Sequence, residues 1–94
     1  MHLVDLSRVK KQLKKLPPEI MTRLIGWVRT VEEFGLREAR KVNGYHDEPL
    51  KGRRLGQRSV RLGLKWRAIY VESKTGEVDL VILEEVTPHD YRTK

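Results

Sequence analysis

The first half of the chain alternates apolar and polar positions with the period of an α-helix. A stripe with spacings of three and four residues predicts a first helix: Leu6, Val9, Leu13 and Leu16. Asp5 or Ser7 can cap this helix, and Pro17-Pro18 ends it and begins the next one. Ahead of it, the segment from Met1 to Val4 predicts a short initial strand.

A second apolar stripe predicts a longer helix after the two prolines. Its positions are Ile20, Leu24, Trp27, Val28 and Val31, widened by Met21 and Ile25. Gly35 is placed to end this helix, since glycine is common at the C-terminal cap. The segment from Leu36 to Val42 predicts a further turn of helix, and the tight connection at Pro17-Pro18 predicts that the two main helices are antiparallel.

The second half of the chain changes to the period of β-strands. Loops are indicated at Asn43-Gly44, Pro49 and Gly52. A first strand begins near Gln57, where Val60 and Leu62 alternate with polar residues. Two further strands are predicted at KWRAIYVE (65–72) and VDLVILEEV (78–86), separated by a turn at 74–77. The last strand is apolar on both faces, which is typical of a central strand, and Thr87-Pro88 ends it.

Helices followed by strands predict an α+β fold. We expect two N-terminal antiparallel helices packed on one face of a small antiparallel sheet. The chain has no internal repeat, low-complexity tract or long linker, so its 94 residues predict a single domain over 1–94.

The charge balance is the first indication of function. The chain carries 20 Lys+Arg against 13 Asp+Glu, a formal net charge of +7. A field of that sign attracts polyanions, nucleic acid above all, and the alternative is a basic surface that serves solubility. The basic residues form an early cluster and a later one: Lys10, Lys11, Lys14 and Lys15, then Lys51, Arg53, Arg54, Arg58, Arg61, Lys65 and Arg67.

The composition also excludes several classes of protein. The absence of cysteine excludes disulfide scaffolds, thiolate zinc sites and cysteine nucleophiles. No apolar run reaches the roughly 18–20 residues of a membrane span, and lysines occupy the region of a signal peptide, so we expect a cytoplasmic protein without membrane contact. No standard catalytic motif is present, and the three scattered histidines, His2, His46 and His89, predict neither a metal site nor a cofactor.

Ionisable residues around the predicted sheet are the candidate chemistry: Glu48, Lys51, Arg61, Arg67, His89 and Tyr91. Arg67 lies in an apolar strand, and buried arginines are rare unless they are paired. Its structural alternative is an ion pair with Glu84 or Glu85. Taken singly, Glu48 and Lys51 also fit a solvated loop. His89 and Tyr91 lie near the chain end, where disorder is common.

Together these residues suit cleavage of RNA without a metal ion. The reaction needs a base for the ribose 2′-OH, an acid for the departing 5′-oxygen, and cations against the charge on the phosphorus oxygens. Glu48 suits the base, and His89 suits the acid because the ordinary pKa of histidine is about 6.5. The remaining side chains suit phosphate binding or base stacking: Lys51, Arg61, Arg67 and Tyr91.

The polar set lies in a characteristic series of segments: Glu48-Pro49-Leu50-Lys51-Gly52, Gly56, Arg58-Ser59-Val60-Arg61 and Trp66-Arg67-Ala68-Ile69-Tyr70. The Leu-Pro-Pro-Glu stretch between the predicted helices and the ending Val86-Thr87-Pro88-His89-Asp90-Tyr91 follow the same layout. This series resembles the RelE/ParE superfamily of bacterial type II toxins, closest to its YoeB- and HigB-like branches, over nearly the whole chain. The resemblance implies two helices packed against a curved antiparallel sheet.

The resemblance also implies an activity. RelE- and YoeB-like toxins enter the ribosomal A site and cut messenger RNA by attack of the 2′-OH, which leaves a 2′,3′-cyclic phosphate. The matching positions imply a catalytic Glu48 and Arg67, with Lys51 and Arg61 lining the cleft and His89 and Tyr91 at its end. In the YoeB-like pattern these last two residues are adjacent and end the chain, whereas Asp90 separates them here.

The other basic residues of the later cluster are expected to bind RNA phosphates: Arg53, Arg54, Arg58 and Lys65. The resemblance implies a cognate antitoxin that covers the basic cleft in a toxin–antitoxin hetero-oligomer. Two alternative functions stay open, a ParE-like inhibitor of DNA gyrase that cuts nothing and a basic nucleic-acid-binding protein without toxicity. Which of Glu48, His89 and Tyr91 is the base and which is the acid also stays open.

Overall fold

A mixed β-sheet forms the centre of the computed structural model, which describes residues 1–88. Its strands, in chain order, are β1 (His2–Asp5), β2 (Glu48–Pro49), β3 (Arg58–Arg61), β4 (Arg67–Thr75) and β5 (Val78–Thr87). They lie in the order β1-β5-β4-β3-β2 across the sheet. The α+β prediction is confirmed.

The helical part is dominated by one long helix. Within the described residues the helices are α1 (Lys10–Leu13), α2 (Pro18–Phe34) and α3 (Leu36–Arg40). A 3-10 turn precedes α1, and two more follow α3: Ser7–Val9, Asn43–Tyr45 and Gly52–Arg54. The further helical turn predicted after Gly35 is confirmed as α3.

The predicted pair of N-terminal antiparallel helices is not confirmed, because its first member is short: a 3-10 turn at Ser7–Val9 is followed by α1 at Lys10–Leu13. The Asp5 carboxylate accepts the N–H of Ser7 at 2.8 Å and begins a 3-10 turn, and α1 adds a single α-helical turn. Hydrogen bonding from the Ser7 side chain, and then from its N–H, lowers the pKa of Asp5. Pro17 and Pro18 bar the residues before them from helical dihedrals, so the segment is too short to propagate a helix by itself.

The predicted antiparallel sheet is correct for β3, β4 and β5 and wrong at one edge. The initial strand exists, but β1 pairs in parallel with β5, with His2 opposite Asp79 and Asp5 opposite Ile82. The chain crosses over through α1 and α2 before it returns to the sheet, which permits parallel pairing. Periodicity within an isolated strand contains no information about its partner.

Pro49 was expected to keep its segment out of regular structure, yet Glu48–Pro49 forms the short edge strand β2. Glu48 lies opposite Ser59 and Pro49 opposite Arg58. A proline is tolerated at a sheet edge because its missing N–H is not needed there.

The predicted apolar stripe of α2 packs on one face of the sheet. Its buried residues are Ile20, Leu24, Trp27 and Val31, and they form one core cluster with residues of β3, β4 and β5. The N–H of Gly35 donates to the carbonyl of Val31 at 2.8 Å, as expected of the cap. No helix within residues 1–88 is long and apolar enough to span a bilayer.

Candidate functional site

The face of the sheet opposite α2 carries three of the predicted site residues, Glu48, Arg61 and Arg67. Residues directly opposite each other on neighbouring strands point to the same face, and so do residues two apart on one strand. The register therefore places six polar residues together, which we call the polar face: Glu48, Ser59, Arg61, Arg67, Glu85 and Thr87. A register shift between Ile69 and Tyr70 leaves Glu84 as an extra residue between Leu83 and Glu85 of β5, so the alternation of β5 shifts beside this face.

Arg61 and Arg67 lie directly opposite each other on the polar face. Opposed Cα atoms of an antiparallel pair are about 4.5–5.5 Å apart, so the two arginine side chains leave the sheet next to each other on the same face. Arg67 is only 3% exposed, and its Nη1 donates to the carbonyls of Trp66 at 3.2 Å and Gly63 at 3.4 Å. The Nε of Arg61 is buried and has no hydrogen-bond partner within residues 1–88. Like charges opposed in a sheet repel, so the arrangement favours an anion beside this pair.

Glu48 lies on edge strand β2, in the same row as Ser59, Ile69 and Glu85. Its carboxylate Oε2 is 3.4 Å from Nε2 of His46, with side-chain exposures of 28% and 50%. His46 has a left-handed backbone with φ 47° and ψ 51°, and it is the non-glycine residue of positive φ among those described. A left-handed backbone at a non-glycine residue costs free energy, and such residues cluster at functional sites.

Asp47, between these two residues, anchors the edge of the sheet from the helix-covered side. Its side chain has no exposed surface, and each oxygen accepts a 2.6 Å hydrogen bond, one from Tyr70 Oη and one from Arg58 Nε. Tyr70 also accepts from Nε of Arg40 at 3.4 Å. Burial raises the pKa of Tyr70, and the bond to Asp47 raises it further, so the hydroxyl stays a donor.

Arg58 is therefore separated from the other predicted phosphate ligands. It lies opposite Tyr70, on the face that α2 covers, and its side chain is 26% exposed. An i, i+3 spacing in a strand places two side chains on opposite faces, so Arg58 and Arg61 cannot both point to the polar face.

The loop between β2 and β3 reaches across to β5 beside the polar face. Arg54 donates to Gln57 at 2.9 Å and to Glu85 at 3.1 Å, and Gln57 donates to Glu84 at 2.9 Å. Glu84 also pairs with Arg8 at 2.8 Å. Both acids that the sequence offered as partners for Arg67 thus have contacts with other residues.

The remaining predicted residues lie further out. Lys51 and Arg53 are exposed on the same loop, and Lys65 is exposed in the turn between β3 and β4, beside the nearly fully exposed Leu64. His89 and Tyr91 lie outside the described residues, so their predicted roles stay predictions. Within residues 1–88, no cluster of three or more His, Asp or Glu side chains could hold a metal ion.

Sequence reasoning missed His46 and Asp47 as parts of the site. His46 was predicted only as one of three scattered histidines that do not form a metal site, and Asp47 was not among the predicted residues. The triplet His46-Asp47-Glu48 carried no usable signal for this contact, because His46 has a left-handed backbone and the alternation of an extended segment does not apply to it.

Comparison with solved structures identifies the fold. A YoeB/ParE toxin from Agrobacterium tumefaciens superposes with a TM-score of 0.67 at 18% identity, over 95% of this chain and 98% of that one. The toxin–antitoxin complex RelBE2 of Mycobacterium tuberculosis gives 0.60 at 22% identity over 96% of both chains, and YafQ from E. coli gives 0.58 at 19% over 87% of both. No protein-family model matches the sequence, and comparison with curated protein sequences gives no match.

The chain therefore has the RelE/ParE toxin fold. At these identities the likeness is one of fold, and function has to be argued from the site.

Proposed function

We propose that this protein is the toxin of a type II toxin–antitoxin system and acts as an endoribonuclease on messenger RNA. The observation that carries the proposal is the opposed pair Arg61 and Arg67 on the same sheet face as Glu48. Two cations and a carboxylate on one face match the charge requirements of phosphodiester cleavage by a neighbouring hydroxyl.

In the proposed reaction Glu48 takes the proton of the ribose 2′-OH as its oxygen attacks phosphorus. Arg61 and Arg67 bind the phosphate oxygens, on which negative charge accumulates as the fifth bond to phosphorus forms. The bond from phosphorus to the 5′-oxygen breaks, and an acid protonates that oxygen. We assign the acid to His89 and base stacking or phosphate orientation to Tyr91, on the family resemblance. The products are a 2′,3′-cyclic phosphate and a 5′-hydroxyl.

The exposed basic loop supports a polyanionic substrate. Lys51 and Arg53 project beside the polar face without ion pairs among the described residues, and the chain as a whole has a net charge of +7. Such charges increase the rate of encounter with nucleic acid and bind its backbone without sequence preference. On the family resemblance we assign the substrate to messenger RNA in the ribosomal A site, where ribosomal RNA adds further phosphates.

A cognate antitoxin is the proposed protein partner. The register places an apolar strip on the same side of the sheet as the polar face: Leu3, Val71, Leu80 and Ile82. Leu3 is 43% exposed. A partner with apolar side chains over this strip and acidic ones over Arg61 would cover both. One solved structure of the same fold is a toxin–antitoxin complex, RelBE2.

The experiment that tests the proposal is cleavage of a defined messenger in a bacterial translation extract, mapped by primer extension. We expect wild-type protein to cut at A-site codons. Glu48→Gln and Arg67→Met should cut at least about 100-fold more slowly, which is on the order of the loss when one group that stabilises the transition state is removed. Arg29→Ala, which removes an exposed charge of α2, is the matched control and should cut normally. No cleavage by wild type, or equal cleavage by all variants, would overturn the proposal.

The same preparation separates the alternatives. Inhibition of gyrase supercoiling at stoichiometric protein, without RNA cleavage, would favour a ParE-like inhibitor, which has the same fold. Normal growth of bacteria that express the chain without an antitoxin would favour a non-toxic nucleic-acid-binding protein.

A further inference from the structure

The row of side chains that contains Glu48 is covered, although it points away from α2. In this row Ser59 is 2% exposed and Ile69 is 0% exposed. Of the two carboxylate oxygens of Glu48, Oε1 is buried and Oε2 lies beside His46. A general base has to come within about 2.6–3.2 Å of the atom whose proton it takes. RNA therefore reaches this base only after the covering segment has moved aside.

Loop 50–57, between β2 and β3, crosses this row. Leu50 extends the pairing of β2 with β3, since its N–H donates to the carbonyl of Gln57 at 2.9 Å, and its side chain is 4% exposed. Further along the loop, Arg54 donates to Glu85 on β5 at 3.1 Å. Strand β4 lies between β3 and β5 and continues past the end of β3, so the loop passes over β4 to reach Glu85.

Two glycines bound the segment 53–55 at the tip of this loop. Gly52 has a φ of 64° and Gly56 a φ of 96°, and a side chain added at either position would meet nothing within 4 Å. Packing therefore does not fix these two positions, and glycine gives the backbone wide freedom of rotation at both ends of the segment. Leu55 between them is 83% exposed, so apolar burial contributes little to holding the tip down.

Polar contacts join the loop to β5, and Gln57 is at their centre. Its side-chain oxygen accepts from Arg54 at 2.9 Å, and its amide nitrogen donates to Glu84 at 2.9 Å. The side chains of the Arg54–Glu85 pair are 29% and 27% exposed. Partly exposed contacts of this kind exchange with water at a small cost in free energy. The loop can thus leave the sheet without unfolding it.

We infer that loop 50–57 is a lid that closes over the base Glu48 and opens about its two glycines, an inference whose catalytic part rests on the proposed function. An RNA phosphate offers Arg54 the same kind of charge-assisted hydrogen bond as Glu85 does. Substrate bound to Arg54 weakens the attachment of the loop to β5 and so favours the open lid.

A single cysteine beneath the lid tests this inference, because the chain contains no other. Ile69→Cys places a thiol under the loop, and Val60→Cys places one in the core on the face covered by α2, where Val60 is also 0% exposed. The reaction of each thiol with the chromogenic reagent DTNB is followed in the folded protein, and urea denaturation of each variant gives the rate that global unfolding alone allows. We expect Ile69→Cys to react at least about 10-fold faster than this limit and Val60→Cys to react at it. Reaction of Ile69→Cys at the limit would overturn the lid.

Variants of the latch and of one glycine show which segment moves. Gln57→Met retains the length of the side chain without its hydrogen bonds and should speed the labelling of Ile69→Cys about 10-fold. Gly52→Asn tolerates the positive φ but narrows the range of the backbone, and should slow labelling about 2- to 5-fold. Gly76→Asn is the matched control, since Gly76 has a φ of 60° and equally open surroundings in the β4–β5 turn, and it should change nothing. An unchanged rate in Gln57→Met, or equal effects of the two glycine variants, would also overturn the lid.

RNA cleavage by the same variants, without the added cysteines, separates this inference from the proposed function. If opening precedes binding, Gln57→Met should raise kcat/KM in the translation extract and Gly52→Asn should lower it, each by the factor that labelling gives. If wild type cuts no RNA, the proposed function fails together with the catalytic part of the inference, whereas labelling still decides whether the lid exists. If wild type cuts RNA but Ile69→Cys reacts only at the limit set by unfolding, the lid fails and the proposed function stands.

Discussion

The hydroxyl of Tyr70 donates a 2.6 Å hydrogen bond to the carboxylate of Asp47, 23 residues earlier in the chain. Tyr70 is fully buried in strand β4, where its ring lies 5.3 Å from that of Trp27 in the core. Asp47 directly precedes Glu48. This one bond therefore connects the hydrophobic core to the segment that carries the proposed base.

Removal of the Tyr70 hydroxyl should destabilise the fold. Tyr70→Phe leaves one oxygen of a fully buried carboxylate without its donor, and we expect a loss of about 1.5–3 kcal/mol in the free energy of unfolding. Urea denaturation measures it. The control is Tyr45→Phe, since the Tyr45 hydroxyl makes no hydrogen bond within residues 1–88, and it should change stability by less than about 0.5 kcal/mol. Equal losses for the two variants would contradict the assignment.

Because the pKa of the Tyr70 hydroxyl is raised, the free energy of unfolding should depend on pH in the alkaline range. In the folded state, burial raises the pKa of Tyr70 and the Asp47 carboxylate raises it further. In the unfolded state, tyrosine has its ordinary pKa of about 10. The folded state thus retains a proton that the unfolded state releases. The stabilisation is complete below about pH 10 and decreases as the pH rises above it. Urea denaturation from about pH 8 to about pH 11 should show a steeper fall for wild type than for Tyr70→Phe; parallel curves would exclude this cause.

Arg61 should contribute to the chemical step through its guanidinium and not only through its charge. We expect Arg61→Ala to slow RNA cleavage about 100- to 1,000-fold, and Arg61→Lys to recover only part of that rate because it lacks the planar pair of donors. Arg29→Ala, on the exposed surface of α2, controls for net charge. Single-turnover cleavage in the translation extract measures the effect. Full activity of Arg61→Lys would show that a point charge suffices.

The exposed loop residues should affect binding rather than chemistry. Lys51→Ala and Arg53→Ala each remove one expected phosphate contact, so each should reduce the slope of log affinity against log salt by about 0.7 for single-stranded RNA. Fluorescence anisotropy with a labelled oligonucleotide at several salt concentrations gives this slope. Arg29→Ala serves as a contrast, because it also removes one positive charge but from the exposed surface of α2, on the other side of the sheet, and should leave the slope unchanged. A change for Arg29→Ala equal to that of the loop variants would contradict this assignment of the RNA to the loop.

Local sequence patterns predicted the long helix and the three main strands. The apolar stripe of α2 follows the 3.6-residue period of a helix, and the helix ends at Gly35, which has a positive φ. Both the spacing and the glycine are visible in the sequence. The hairpin between β4 and β5 depends on a turn at Gly76, also a local feature. The first helix is shorter than predicted because apolar spacing does not distinguish an α-helix from the 3-10 turn Ser7–Val9 that precedes the single turn of α1.

The candidate site was only partly predictable. The sequence showed which residues carry charge, and alternation in β3 placed Arg61 on one face. It did not show that Arg58 is held on the other face by Asp47, or that His46 contacts Glu48. Each of these contacts joins different elements or depends on an unusual backbone angle, and neither pattern nor composition contains that information.

The sequence by itself determined the fold class, the long amphipathic helix, the central apolar strand and the excess of positive charge. These follow from short-range periodicity and from counts of charged residues, which do not depend on tertiary contacts. The tertiary structure alone decided that β1 joins the sheet in parallel, and that Arg61 lies opposite Arg67 on the same face as Glu48. Strand partners and register depend on which distant segments bury each other's apolar surface, and that is a property of the folded chain as a whole.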